Sequence, residues 1–255
     1  EIEVVNFEFS DKLDVTICQF DTVTLNHQSV GEFTWQPAEG LNSTTIANPV
    51  VSPMQTTIYV VQAKIGTCIL NEDFKVNVKP APIVSVIGDK DICEGKTAVL
   101  KAVPATTGTT YSYLWNTGET STEINVRNES WYKVKTDNGE CTFEDSLFVD
   151  VHEYPVYSLD QSDTLVCGDK KGRLEITSAD QNVIWTTDNL NLAIAAPLQK
   201  STQMNVPVYG DYRVFVDLTS PYGCKVSDTL NVGFHQVPTS SFNILEDKCY
   251  GYSLN

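Results

Sequence analysis

The sequence predicts an all-β chain of small tandem sandwiches, on three observations. The first is a long internal period. Cys18, Cys93, Cys167 and Cys249 stand 75, 74 and 82 residues apart, and Cys68, Cys141 and Cys224 follow the first three. One tryptophan (Trp35, Trp115, Trp185) stands inside each Cys–Cys interval. A period of that length means an array of small domains rather than one large core. The second observation is a series of short runs of alternating apolar and polar residues, bounded by turn residues. The third is that helical periodicity is nearly lacking; only Leu190 to Leu198, where Leu, Ala and Ile crowd together, admits a short helical turn.

Counting from the opening cysteine aligns the units. Seven residues on stand Leu25, Leu100 and Leu174, and nine residues on stand His27, Ala102 and Ile176. The alternation around them (Val23, Leu25; Thr97, Val99; Leu174, Ile176) reads as a strand with one buried face. The tryptophan strand follows: Phe33-Thr-Trp35, Tyr113-Leu-Trp115, Val183-Ile-Trp185. Then comes a Tyr-x-Val step at Tyr59, Tyr132 and Tyr212, and a turn leading to the closing cysteine. In the second unit that turn is Asn138-Gly139, a strong hairpin signal. The last strand (Phe74–Val78, Leu147–Val151, Leu230–Phe234) runs out to a proline. Pro80, Pro82, Pro155 and Pro238 suit short, stiff linkers, because proline fixes φ and removes a donor. The expected domains are residues 1–80, 81–154 and 155–237, with 238–255 as the start of a truncated fourth repeat.

Composition narrows the function classes. Units of this size are at the low end for a self-sufficient core, so a covalent staple is expected. Seven cysteines in such an array favour an oxidising compartment. There is no C-x2-C pair and no histidine at ligand spacing, so no zinc site and no cofactor is expected. The net charge of −16 repels nucleic acid and anionic membranes. No acidic run matches a calcium loop, and the charge reads as a solubilising surface. No stretch is apolar and long enough to span a bilayer. The sequence has no initiator Met or signal peptide, and it ends early in a fourth unit. The expectation is an excerpt of a longer secreted polypeptide.

At this point the residues resemble a known group. The Trp on the third strand and the Tyr before the last hairpin resemble an immunoglobulin-like sandwich. Its central disulfide is missing: His27, Ala102 and Ile176 take one side and Val61, Val134 and Val214 the other. With the cysteines at element ends, the chain resembles the immunoglobulin-like and PKD-like repeats of large surface proteins of the phylum Bacteroidota. Two segments carry the match. One runs from Trp35-Gln-Pro37-Ala-Glu-Gly40-Leu41 through Ile46-Ala-Asn48-Pro49 and Pro53 to Thr56-Thr57-Ile-Tyr59. The other joins Cys93-Glu-Gly95, Tyr113-Leu-Trp115-Asn-Thr-Gly118 with Ile124-Asn-Val126, and Tyr132-Lys-Val134 through Asn138-Gly139-Glu-Cys141. Unit three departs, lacking the Trp-x-x-Gly step and carrying a longer final hairpin with Pro221.

The resemblance implies tandem immunoglobulin-like β-sandwich domains in an extended array. It also implies a secreted or outer-membrane-attached location, often reached through type IX secretion. The implied role is non-catalytic: an adhesin filament or stalk, in adhesion or gliding motility. The alternatives are a module binding surface glycans or other cell-surface proteins, or spacer domains of a secreted hydrolase.

Two disulfide schemes follow from the cysteine positions. Each unit carries a complete pair, which favours Cys18–Cys68, Cys93–Cys141 and Cys167–Cys224, with Cys249 unpaired in this segment. Each would close a loop worth about 4 kcal/mol on the chain-entropy model. A strictly immunoglobulin-like strand order instead puts the opening and closing cysteines at opposite poles. Pairing between neighbours, Cys18–Cys141 and Cys93–Cys224, is then the alternative, since a disulfide needs close Cα atoms; the within-unit scheme is the one expected.

The remaining candidates are few. His152 and His235 precede linker prolines at equivalent positions, which suggests a linker role, and no Ser–His–Asp spacing stands out. Glu144 and Asp145 are adjacent on a strand, so their side chains diverge. Trp131 neighbours an inward Tyr132 and is expected outside, as a possible contact for a glycan or a neighbouring repeat. Thr22, Ser146, Thr164 and Thr229 follow Asp and precede an aliphatic residue, which resembles the Bacteroidota O-glycosylation pattern. Asn42 and Asn128 fit the eukaryotic N-glycosylation pattern.

Overall fold

The computed structural model describes residues 14–26, 31–106, 110–159, 164–178 and 182–238. Every regular element among them is a β-strand. Two compact units divide the chain, Glu1–Lys90 with Lys96–Asp150 and Asp91–Gly95 with Val151–Asn255.

The first repeat contains β1 (Val15–Cys18), β2 (Val23–Thr24), β3 (Glu32–Gln36), β4 (Val50–Val51), β5 (Thr57–Ile65) and β6 (Cys68–Lys79). Its large sheet has the order β1-β6-β5-β3, and β2 pairs with β4 in a small second sheet. Leu25 and Val51 from the small-sheet side join Trp35, Tyr59, Val61, Phe74 and Val76 in one core.

The second repeat contains β7 (Val84–Gly88), β8 (Asp91–Cys93), β9 (Ala98–Pro104), β10 (Ser112–Trp115), β11 (Glu123–Val126), β12 (Ser130–Asp137) and β13 (Thr142–His152). Its sheets are β10-β12-β13-β8 and β11-β9-β7. Strand β12 shows why the sequence folds this way. Tyr132, Val134 and Thr136 are buried, while Trp131, Lys133 and Lys135 alternate outward.

The third repeat contains β14 (Tyr157–Leu159), β15 (Thr164–Cys167), β16 (Lys171–Ser178), β17 (Asn182–Thr187), β18 (Ala193–Ile194), β19 (Ser201–Asn205), β20 (Gly210–Thr219) and β21 (Lys225–His235). Its sheets are β14-β16-β19-β18 and β15-β21-β20-β17. Leu174, Ile176, Trp185, Met204, Val214, Val216 and Phe234 form its core. The stretch 190–198 is not helical. Ala193 and Ile194 pair with Asn205 and Met204, and this ladder overrides the local helix propensity of Leu and Ala.

This is a tandem immunoglobulin-like β-sandwich architecture, as the sequence predicts. The three core tryptophans are equivalent in detail. Each is 1% exposed, and each indole donates to a loop carbonyl: Ile46 (2.8 Å), Ser121 (2.9 Å) and Gln199 (2.8 Å). Ala102, Ile176, Val61, Val134 and Val214 are all buried, so apolar packing fills the described positions of the missing central disulfide. One register differs. Trp35 and Trp115 lie opposite Val61 and Val134, but Trp185 lies opposite Val216.

Tyr132 and Tyr212 form tyrosine corners, donating to the carbonyls four residues upstream, Asn128 (2.9 Å) and Val208 (2.7 Å). Tyr59 instead reaches the Glu39 carbonyl at 2.9 Å. Removing one such hydroxyl forfeits a net bond of about 1 kcal/mol. Tyr212→Phe is therefore expected to lower the urea midpoint of the third repeat while leaving the slope unchanged. An unchanged midpoint would show the corner to be energetically idle.

Candidate functional site

The cysteines occupy opposite ends of each last strand. β1 runs parallel to β6 with Cys18 opposite Lys79, and β15 runs parallel to β21 with Cys167 opposite His235. The closing cysteines stand at the other end: Cys68 begins β6 and Cys224 immediately precedes β21. The rise of a strand puts the two ends about 36 Å apart, far beyond the reach of a disulfide, about 7 Å between Cα atoms. The pairing within units is therefore corrected. The bonds are Cys18–Cys141 and Cys93–Cys224, with Cα separations of 5.7 and 5.6 Å. Each joins the opening cysteine of one repeat to the closing cysteine of the next. Cys68 and Cys167 are exposed free thiols. Cys249 lies outside the described residues.

At the first junction the closing hairpin of repeat two seats on the opening-cysteine end of repeat one. Asp137 and Asn138 build the turn, accepting from the amides of Gly139 (2.6 Å), Glu140 (3.1 Å) and Cys141 (2.8 Å). Gly139 has φ +87°, which glycine adopts without steric cost. From this turn, the Asn138 amide donates to the Pro80 carbonyl at 3.2 Å; behind it, within the second repeat, the buried Thr136 hydroxyl on β12 donates to the Pro82 carbonyl at 2.7 Å. Lys79 pairs with Glu140 at 2.7 Å. Both ions are substantially exposed, so that pair contributes below about 1 kcal/mol. Phe20 packs against Phe143 with ring centroids 5.8 Å apart. Phe20 has φ +76°, where the matching position of the second repeat is Gly95 at φ +74°. A bulky residue held there stores strain of about 1–3 kcal/mol, offset at this junction by the aromatic contact and the adjacent disulfide.

The second junction repeats the plan with different side chains. His152 stacks on Tyr222 of the closing hairpin, ring centroids 3.6 Å apart and planes 3° from parallel. Its Nε2 lies 3.0 Å from Asp91 Oδ1. Gly223, at φ +85°, turns the chain, and the Ser220 hydroxyl accepts from the Cys224 amide at 3.1 Å. Further along this hairpin, the Lys225 ammonium and then the Ser227 hydroxyl hold the Asp217 carboxyl below its ordinary range, against a small opposing effect of burial. The stabilisation is therefore present near neutrality and lost as pH falls through the lowered value.

The other predicted site residues scatter. Thr22 and Thr229 are exposed and Ser146 is half-buried on β13. Thr164 lies on β15. Two of the aspartates in these patterns hold the fold: Asp145 accepts from the Val86 amide (2.7 Å), and Asp228 accepts from the Tyr157 hydroxyl (2.8 Å). Burial, together with that hydrogen bond and the Asp228 charge, raises the pKa of Tyr157. Asn42 is exposed and its side chain accepts from the Val50 amide at 2.9 Å. Trp131 is 55% exposed and packs across the strand on Phe148, ring centroids 5.4 Å apart. An open groove of about 780 Å³ on the third repeat is lined by Leu165, Asp188, Asp211, Arg213 and Asn231. Arg213 is paired there with Asp188. His27 lies outside the described residues. The sequence gives no direct sign of the junction roles of Phe20, Thr136 and Tyr222, and marks Asn138 only as a turn residue. The one available signal was their place next to cysteines that a strict sandwich order pairs between neighbours.

No protein-family profile matches the sequence, and no curated protein matches it. Among solved structures, the chain is similar to the eight N-terminal Ig domains of Down Syndrome Cell Adhesion Molecule (8% identity, TM-score 0.39). That match covers 87% of this chain and 35% of the other, so the chain spans about a third of that fragment's length. It is similar to extracellular domains 3–5 of Drosophila OTK (9% identity, 90% of this chain, 98% of that one, TM-score 0.38). It is also similar to three N-terminal domains of the bacteriophage RB49 outer capsid protein Hoc (12% identity, 89% and 97%, TM-score 0.41).

Proposed function

We propose that the chain is a non-catalytic, force-transmitting segment of an extracellular protein, a stalk or adhesin filament built of immunoglobulin-like repeats with boundaries near residues 80 and 154. The observation that carries this reading is the interleaving of its disulfides. Cys18–Cys141 and Cys93–Cys224 overlap along the chain, so the shortest covalent path from Cys18 to Cys224 runs only between Cys141 and Cys93. That path has 48 residues, against 206 along the backbone. Even with every repeat unfolded, the two ends are held within about 160 Å, where the reduced chain reaches about 700 Å. The disulfides also support an oxidising setting. A bacterial surface adhesin or gliding-motility protein, on the repeat resemblance, is the host we favour. O-glycosylation of exposed Thr22 and Thr229 is part of that proposal.

Force spectroscopy with handles at the two ends tests the mechanical role. Reduction is expected to release about 540 Å of additional contour length. Equal contour lengths in the oxidised and reduced chains would end the proposal.

The Trp131–Phe148 pair supports a second reading, a surface that binds a glycan or a protein. A glycan array with hits abolished by Trp131→Ala would favour it.

A further inference from the structure

Asn138-Gly139 is the one Asn-Gly step in the sequence, and it forms the tip of the hairpin seated at the first junction. Asparagine is a chemically labile side chain. Glycine, with no Cβ, leaves its own amide nitrogen unshielded. In an open chain that nitrogen can reach the carboxamide carbon of the asparagine before it and displace ammonia. The other two closing hairpins carry Ile65-Gly66 and Tyr222-Gly223 at their turns, so neither has the reactive pair.

In the seated hairpin every group this reaction needs is engaged. Asn138 Oδ1 accepts from the amides of Glu140 (3.1 Å) and Cys141 (2.8 Å), and Nδ2 donates to the Pro80 carbonyl (3.2 Å). The Asn138 main-chain amide donates to the Cys141 carbonyl at 3.2 Å. The attacking atom is tied too, because the Gly139 amide donates to Asp137 Oδ1 at 2.6 Å. That carboxylate holds the proton that must leave, and its charge opposes the negative charge the nitrogen must gain. Turning the carboxamide onto Gly139 breaks three bonds, and one of them reaches the end of repeat one.

We propose that Asn138 is a deamidation site gated by the first junction: the seated hairpin is protected, and the released hairpin reacts. The Gly139 nitrogen loses its proton and bonds to Asn138 Cγ. The Cγ–Nδ2 bond breaks, and ammonia leaves with a proton. Water then adds to either carbonyl of the cyclic imide and opens one C–N bond, giving aspartate or isoaspartate. Water enters, ammonia leaves, and no atom changes oxidation state. Aspartate places an acceptor-only carboxylate where Nδ2 donated to Pro80, between Asp137 and Glu140. Isoaspartate lengthens the turn that positions Cys141. Either product weakens the seat, so each opening of the junction is recorded as a covalent mark. The inference goes beyond the stalk reading and needs only the seated hairpin.

The test follows Asn138 by peptide mass spectrometry while the full chain is held in mildly alkaline buffer. Deamidation is expected to be at least about tenfold slower in the folded, oxidised chain than in the same chain unfolded in guanidinium chloride, a ratio set by the population of the open hairpin. Phe20→Gly removes the ring that packs on Phe143 and relieves a positive φ. Its repeats are expected to stay folded, which circular dichroism verifies, while its rate rises at least about threefold over the parent. Lys79→Ala, which removes an exposed ion pair to Glu140, is the second variant. Equal rates in the folded and unfolded parent would overturn the proposal. Parent-like rates in both junction variants would overturn it as well, because the turn alone would then be the guard. Asn138→Asp is expected to lose Cys18–Cys141 to a reducing thiol faster than the parent, with Cys93–Cys224 as the internal reference. An unchanged reduction rate would show that the mark leaves the junction seated and would also overturn the proposal.

Discussion

Replacing Cys18 and Cys141 together by serine is expected to destabilise the first two repeats by up to about 5 kcal/mol on the chain-entropy model. The bond spans a sequence separation of 123, so an unfolded chain carrying it loses much of its freedom. The full effect appears when both repeats unfold together. When one stays folded, the effective loop is about half as long and the loss is still about 4 kcal/mol. The remaining contacts of the junction do not compensate, because the Lys79–Glu140 pair is exposed and the Asn138–Pro80 bond lies at the surface. Urea unfolding of the double-serine variant against the oxidised parent is the measurement. The third repeat keeps Cys93–Cys224 and serves as the internal reference. An unchanged midpoint in the first two repeats would show that the bond constrains nothing the folded junction does not already hold.

Trp185→Ala is expected to abolish the third repeat's separate unfolding transition near room temperature. The indole is 1% exposed, surrounded by a contiguous core, and bonded to the Gln199 carbonyl. Truncating a buried tryptophan costs about 3–5 kcal/mol, and a carbonyl left unpaired costs about 1–3 kcal/mol more. A small domain has only about 5–15 kcal/mol in total. Calorimetry should show the transition of the third repeat lost or moved far down, with those of Trp35 and Trp115 retained. A loss under about 1 kcal/mol would contradict the packing described for this core.

Much of the fold is legible in the residues. Alternation on β12 puts Tyr132 inside and Trp131 outside, because a strand turns successive side chains to opposite faces. The Trp and Tyr positions were equally plain, since each repeat independently needs a large apolar centre and a corner. The stretch 190–198 admits a helical turn on local propensity alone and is not helical, because β18 is held by its ladder to β19. The Asp-Ser/Thr pattern was read as a modification signal. At Asp145 and Asp228 it is also a structural acceptor for the strands that open the second and third repeats. Such a partner lies 59 and 71 residues away and leaves no local trace.

By itself the sequence determined that the chain is all-β, that it is a Cys–Trp–Cys array, and which side chains fill each sandwich. These are properties of periodicity, which a linear chain records. Which cysteines bond was decided only in three dimensions. A last strand of about eleven residues carries its two ends beyond disulfide reach, and the hairpin of the following repeat returns a cysteine to within 5.7 and 5.6 Å of the opening one. Strand length and the direction of the turn, rather than nearness in sequence, chose the partners and left Cys68 and Cys167 free.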